Sequence, residues 1–341
     1  MTEHILKFFA YLAVPVASAV AYMSLARRLD IVDRPNQRSS HRSPVVRGGG
    51  VVFPLAWLGY SLLNGFAFPL FTTGLALISV VSFIDDLRSL KPSVRFVSHL
   101  AAFTLCFLEL DVFGSFAPWA VALMYVVGVG ALNAINFMDG INGMTGMYAL
   151  AMLLSLMLPL SGFSWDPGSV LDSPLLPMAL AVAVFGWYNF REKAHCFAGD
   201  VGSISIGFIM IFLLLSIMTG RESLIGLSLP DRNVFRWEFI LFLSVYGVDS
   251  VITILHRIRL RENIFEAHRR HLFQYMVNER GLPHLTVAFA YALLQFFIDL
   301  AVLGTDVTPS VCLLVLASLS LTYLWMKFLR AVESDATGGP A

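Results

Sequence analysis

Eleven runs of apolar residues, near 4–26, 49–64, 66–84, 95–111, 116–135, 144–161, 174–190, 202–219, 236–256, 284–303 and 307–329, follow one another along almost the whole chain. A bilayer core takes about 20 such residues as a helix, with roughly 17 to 25 tolerated. The runs are continuous rather than alternating, which excludes barrel strands of about half that length. The second and third are joined by a tight turn at Asn64-Gly65, and the count falls to ten if they fuse. GLALISVVSFIDD is apolar enough up to its first Asp to stand as a span of its own. The expectation is an all-α polytopic membrane protein, a single domain over residues 1–330 with a disordered tail over 331–341.

Composition supports this. Only 13% of the residues are charged, against roughly 25% in soluble domains, so a water-soluble globular enzyme and a disordered chain are both excluded. The net charge of +0 lacks the basic excess that a nucleic-acid binder needs, so no nucleic acid is expected as a partner. Cys106, Cys196 and Cys312 are too few and too scattered for a disulfide framework or a zinc site. Ala17-Ser18-Ala19 resembles a leader cleavage site. With a single Lys7 ahead of it and Arg27-Arg28 behind, however, the first run reads as a retained helix.

Orientation follows from the placement of Lys and Arg. With eleven spans, one side receives the segments 27–48, 85–95, 136–143, 189–201, 257–283 and the tail, which carry 19 of the 23 basic residues. The other side holds only Lys7, Arg221, Arg232 and Arg236. The basic side is therefore cytoplasmic, with the N-terminus periplasmic and the C-terminus cytoplasmic.

Polar residues gather in four places, all on that cytoplasmic side: Asp85-Asp86; the series Asn133, Asn136, Asp139 and Asn142; the stretch with Lys193, His195, Phe197 and Asp200; and Glu266, His268, Arg269 and His271. Ionisable residues at a span edge are functional candidates by default. Each cluster alone has a plainer reading: a helix-end cap, interhelical hydrogen bonding, a solvated loop histidine, or arginines that set topology and touch anionic lipid. Their conjunction on one face changes that. The carboxylates are read as sitting at span ends and converging on one pocket, where they could not all ionise without a counter-charge. A hard divalent cation that keeps waters and bridges phosphates, Mg2+ with Mn2+ as a substitute, suits this oxygen set.

The chain resembles the polyprenyl-phosphate N-acetylhexosamine-1-phosphate transferases (glycosyltransferase family 4), the superfamily of MraY and WecA, and within it the WbpL-like enzymes that initiate O-antigen. Five ordered motifs carry the likeness: VDRPNQRSSHRSPVVRGGG at 32–50, DDLRSL at 85–90, NAINFMDGINGMTG at 133–146, FAGDVGS at 197–203 and EAHRRHLFQ at 266–274. The resemblance implies transfer of a sugar 1-phosphate from a UDP-N-acetyl sugar to undecaprenyl phosphate at the bacterial inner membrane, with Mg2+ and release of UMP; a homodimer is compatible with it. It places metal ligands at Asp200 and Asn136, uracil stacking at Phe197 and uracil hydrogen bonding at Asn142. Asp85 and Asp86 fall on the pair that orients or deprotonates the lipid phosphate, with Asp139 beside them in the catalytic set. Arg38, His41 and Arg47 match the first cytoplasmic loop, which holds phosphates. Asn133, Lys193, His268, Arg269 and His271 complete the substrate-binding positions.

The sequence departs from that pattern at His268, where relatives of WecA carry Asp, at Phe273 and Gln274, where they carry His, and at Val201, where they carry Thr. The last loop is the one that reads the sugar, so a deoxy-amino sugar such as FucNAc or QuiNAc is the first expectation and a WecA-type GlcNAc donor the alternative. A secondary transporter with an Asp/His ion relay is the competing class; it calls for mid-span polar residues and inverted repeats. A non-catalytic lipid-binding scaffold has no need of metal-ligand residue types in two loops.

Overall fold

The computed structural model describes residues 2–34, 44–161, 171–227, 235–263, 269–304 and 307–337, with only the backbone described for 159–161 and 328–337. The apolar runs become helices α1 (Thr2–Arg28), α2 (Val52–Leu63), α3 (Pro69–Leu87), α4 (Pro92–Glu109), α6 (Pro118–Met138), α7 (Met144–Ser161), α8 (Leu175–Asn189), α9 (Gly199–Met218), α10 (Ser244–Arg259), α12 (His284–Gly304) and α13 (Pro309–Thr337). A 3-10 turn at Trp237–Leu243 leads into α10, while α5 (Val112–Ser115) and α11 (Leu272–Asn278) are short additions. Each of the eleven expected runs thus contains a helical segment. Seven of these segments are long and apolar enough to cross a membrane; 49–63, 144–158 and 175–189 are shorter apolar helices. The chain is an all-α, multi-pass membrane protein.

Proline opens α3, α4 and α6 within the first turn, where its missing N–H costs no hydrogen bond and its fixed φ suits a helix start. In α1 the buried residues Tyr11, Pro15, Ala19, Tyr22 and Ala26 recur every three or four positions, a single stripe that packs against α2 and α8. The opposite face leaves Leu6 and Phe9 exposed, as suits lipid contact.

α9 is apolar all round, and 94% of its most apolar window is buried. A helix without a polar face belongs in the interior, and α2, α3, α6 and α7 surround it. The stretch FIMIFLLLSIM is therefore core. Phe212 of α9 stacks on Phe71 of α3 (centroids 4.0 Å apart, 22° between planes) and meets Trp57 of α2 edge-on at 5.6 Å. At the other extreme, only 11% of the corresponding window of α13 is buried.

Two sequence expectations are corrected. Backbone helix continues to Thr337, through residues read as the start of a disordered tail; no glycine or proline occurs between Ala331 and Gly338 to stop it. Residues 338–341 lie outside the described residues. Second, carboxylates are not confined to span ends, because Asp249 and Asp299 sit inside α10 and α12. Asp299 accepts from Gln295 Nε2 (2.6 Å) and from the Ser155 hydroxyl (3.2 Å). Gln295 also donates to the Leu241 carbonyl and accepts from the Tyr148 hydroxyl and the Val245 N–H. This knot joins α7, α10 and α12 with its members paired, as polar groups inside a membrane must be.

Candidate active site

The chain between α1 and α2 turns back as a two-stranded ribbon, β1 (Val32–Asp33) with β2 (Val45–Val46). β2 then bridges to Cys196. The Phe197 N–H donates to the Val46 carbonyl (2.8 Å), and the Gly49 and Gly50 N–H groups donate to the Phe197 and Ala198 carbonyls (2.8 and 3.0 Å). The Arg47 segment is thereby stitched to the segment that opens α9. The contact is closer than side chains allow: a Cβ on Gly50 would stand 2.2 Å from Gly202 Cα. Gly199 has φ +71°, and a Cβ there would meet Asp86 Oδ2 at 2.6 Å, so both the backbone angle and the space require glycine.

Asp86, in the last turn of α3, fills the gap those glycines leave. Its Oδ1 accepts from Arg47 Nε (2.7 Å) and the Asp200 N–H (2.9 Å), and its Oδ2 from the Val201 N–H (2.9 Å). The side chain is 1% exposed. A carboxylate on the first N–H groups of a helix satisfies donors that have no intrahelical partner and complements the helix dipole.

Around this anchor lie the other acids. Asp85 accepts from the Leu90 N–H and pairs with Arg95 at 3.1 Å. Arg95 also stands 3.9 Å from Asp200 Oδ2. Asn136, near the end of α6, donates to Asp200 Oδ1 (3.1 Å) and Ser203 Oγ (2.8 Å). Asp139 follows α6 and accepts from the Thr145 hydroxyl (2.7 Å). Burial pushes the Asp139 carboxyl up to about 7, with Thr145 working against the shift and Asp200 and Asp86 adding to it. Arg47, Asp85, Asp86, Asn136, Asp139 and Asp200 thus come together from four separate stretches of sequence.

The other sequence candidates take the following positions. Asn133 donates to the Val129 carbonyl within its own helix. Asn142 is buried and donates to the Arg191 and Glu192 carbonyls (2.9 and 3.1 Å), tying the α6–α7 loop to the segment after α8. Lys193 is exposed on that segment and Phe197 is half-buried. His271 is buried and bonded to Asp249 (3.0 Å), while Arg269 is half-buried just before it. Arg38, His41 and His268 lie outside the described residues. The departing residues at 273 and 274 have packing roles: Phe273 is fully buried against Gly140, and Gln274 Oε1 accepts the His271 N–H.

Arg95 was missed in the sequence, where it counts only as an orientation charge. Its position one turn into α4, facing Asp85, is a tertiary fact. Asp249 carried a usable signal, an acid within an apolar run. Among the described residues, no three His, Cys, Asp or Glu side chains form a ready-made metal cage. Mg2+ asks for less: one or two protein oxygens, with phosphates and waters for the rest. Asp200 is the most open of the acids that pair with Arg47 or Arg95, at 24% side-chain exposure, and with Asn136 beside it the donor set fits such an ion.

Residues 68–218 match the family model of glycosyl transferase family 4, a stretch that contains Asp85, Asp86, Asn136, Asp139, Phe197 and Asp200. A decaprenyl-phosphate N-acetylglucosaminephosphotransferase of Mycobacterium leprae (strain TN) is 25% identical over 283 residues, covering 73% of this chain and 70% of its own length. Its namesake from Mycobacterium tuberculosis (strain ATCC 25618 / H37Rv) is 27% identical over 287 residues, covering 73% and 69%. Together with the motif order and the helix count, these matches liken the chain to the membrane-embedded sugar-phosphate transferases of glycosyl transferase family 4, the polyprenyl-phosphate N-acetylhexosamine-1-phosphate transferase superfamily.

Proposed function

We propose that the protein transfers the 1-phosphate of an N-acetylated sugar from its UDP conjugate to undecaprenyl phosphate in the bacterial cytoplasmic membrane, releasing UMP and starting an O-antigen or related envelope polysaccharide. The observation that carries this is the meeting of Asp85, Asp86, Asp200 and Asn136 with Arg47 and Arg95 at one end of an apolar helix bundle. Only at a membrane edge can a lipid-bound nucleophile and a water-borne nucleotide reach the same atoms.

In the reaction an oxygen of the acceptor phosphate attacks the β-phosphorus of the donor. The bond from that phosphorus to the bridging oxygen breaks, and UMP leaves with the electron pair. Phosphoryl transfer of this kind asks the protein mainly for positioning and charge stabilisation. Asp200 and Asn136 would hold Mg2+, which when bound neutralises charge on the diphosphate and the leaving UMP. Asp86 keeps the start of α9 in place. Asp85, shared with Arg95, is the better placed of the pair to orient the acceptor phosphate or take its proton. Arg47, Arg269 and His271 face phosphate oxygens, and Phe197 stacks on the uracil. A groove of about 250 Å3 between α2 and α3, lined by Leu55, Leu58, Ala76, Val80 and Phe83, ends beside Val201 and offers the prenyl chain a path from the bilayer.

For the sugar, Phe273 and Gln274 are occupied with packing and capping, so the departure at His268 in the last loop is what favours a donor other than that of WecA-type enzymes, a deoxy-amino sugar such as FucNAc or QuiNAc. The printed function of the mycobacterial relatives favours N-acetylglucosamine as the second reading. UMP release from a panel of UDP-N-acetyl sugars on addition of undecaprenyl phosphate tests both. A chain that releases UMP from none of them overturns the transferase reading, and acceptor-independent ion flux in vesicles would put a transporter in its place.

A further inference from the structure

A second buried centre lies on the far side of the α6–α7 loop. Asp249 of α10 is 1% exposed. It accepts from His271 Nδ1 (3.0 Å), the Leu272 N–H (3.3 Å), the Tyr291 hydroxyl (2.9 Å) and the Thr253 hydroxyl (3.2 Å). Thr253 in turn shares a hydrogen bond with the Tyr323 hydroxyl at 2.7 Å. Side chains or backbone of α10, α11, α12 and α13 therefore converge on this one acid or its immediate partner.

A carboxylate offers only lone pairs, so Nδ1 of His271 carries the hydrogen and the ring is fixed in one tautomer and one plane. The ring lies nearly parallel to Phe273 (centroids 5.6 Å apart, 22°). Phe273 fills the space beside Gly140, the residue after Asp139. The Tyr246 hydroxyl, one turn before Asp249, donates to the Met144 carbonyl at 2.9 Å and ties α10 to the first residue of α7, where that loop ends. Contact thus runs without a break from Asp249 through His271 and Phe273 to the loop that bears Asp139.

Burying an ionised carboxylate is costly even when it is paired, and apolar residues hold helices together as well or better. Packing alone does not call for an acid here; aiming an imidazole does. We infer that Asp249 is a positioning residue for the phosphoryl transfer: it engages Nδ1 of His271 so that Nε2 is the atom directed to the diphosphate of the nucleotide sugar. This role rests on the transferase reading above and deepens it, because it makes the place of a cytoplasmic-loop histidine depend on helices inside the membrane.

The test combines steady-state kinetics of the full-length protein, using UDP-N-acetyl sugar and undecaprenyl phosphate, with hydrogen exchange over 269–278. Asp249→Asn keeps the shape and removes the charge. It is expected to lower kcat by about 10-fold or more, on the scale of losing the orienting partner of a site histidine, with donor KM little changed and exchange at 271–275 faster. In His271→Asn the amide nitrogen stands where Nδ1 stood, so the bond to Asp249 survives while nothing replaces Nε2. The same kcat loss is expected with exchange unchanged, and this variant carries the test should Asp249→Asn fail to fold. The double variant is expected to be no slower than His271→Asn alone, since the two residues act as a unit.

A folded Asp249→Asn or His271→Asn protein with wild-type kcat overturns the inference, and so do rate losses that multiply in the double variant. A wild-type chain that releases no UMP from any donor fails at the earlier step, before a substitution is made, and takes this role down with it.

Discussion

Asp86 and Asp249 do the same mechanical work in different company. Each is a buried acid that accepts N–H groups at the start of a helix, α9 in one case and α11 in the other. Around Asp249 the remaining donors are two hydroxyls and an imidazole, and the centre closes on itself. Around Asp86 stand Asp85 and Asp200, three carboxylates against the guanidiniums of Arg47 and Arg95. That leaves negative charge in excess at a partly open position, whereas the other centre has its acid shared among donors on every side. A balanced, enclosed acid holds a shape; an unbalanced one beside an opening calls for a cation and a ligand.

The largest test of this contrast is Asp200→Asn. Turnover is expected to fall by about 10^3-fold, the scale for losing a charge contact made in the transition state, while the melting temperature stays near wild type. Near-normal UMP release from this variant would erase the distinction between the open and closed centres. Chelation of divalent ions sharpens the same point: activity should vanish and return with added Mg2+, with little change in melting, because the metal acts at the donor rather than in the fold.

Asp86→Ala should behave in the opposite manner. It leaves the Asp200 and Val201 N–H groups without their acceptor and Arg47 without its ion pair, and a loss of about 1–3 kcal/mol in stability is expected, as for buried donors left unsatisfied. Denaturant unfolding in detergent measures it, and an unchanged midpoint would remove Asp86 from the role of anchor. For Phe197→Ala the expectation is a donor KM raised about 10-fold with kcat nearly unchanged, since stacking on a base contributes roughly 1–3 kcal/mol. A defect in kcat alone would argue against stacking.

The smallest effect concerns Asp139. Burial pushes its carboxyl up to about 7, well above the ordinary carboxylate range, so between the two the folded protein keeps a proton that the unfolded chain has released. The nucleotide-free, metal-free protein should therefore lose stability as pH rises from about 4 to about 7 and level off above that range. Asp139→Asn should flatten that slope, as read from melting temperature against pH.

The fold was legible because bilayer thickness imposes a length on each helix. The run read at 174–190 becomes Leu175–Asn189, and the one at 284–303 becomes His284–Gly304. The site was legible to the extent that unusual residues cluster locally, as with Asp85-Asp86 and the Asn133–Asn142 series. Pairings across the fold were not. Nothing in the sequence links Arg95 to Asp200, or Asp249 to a histidine 22 residues on and a tyrosine 42 residues on. The departures at Phe273 and Gln274 read as altered sugar recognition, yet their side chains turn out to pack and to cap.

The backbone-to-backbone seam between Gly50 and Gly202 bears on how such a protein can change over time. Where two main chains touch, the spacing across the joint is indifferent to which side chains line the bundle elsewhere. Lipid-facing leucines can drift to suit a thicker or thinner bilayer, and the prenyl groove can be recut for another chain length, without moving Asp200 relative to Arg47. Adaptation to a new membrane is thereby uncoupled from the chemistry, at the expense of two positions that cannot vary at all.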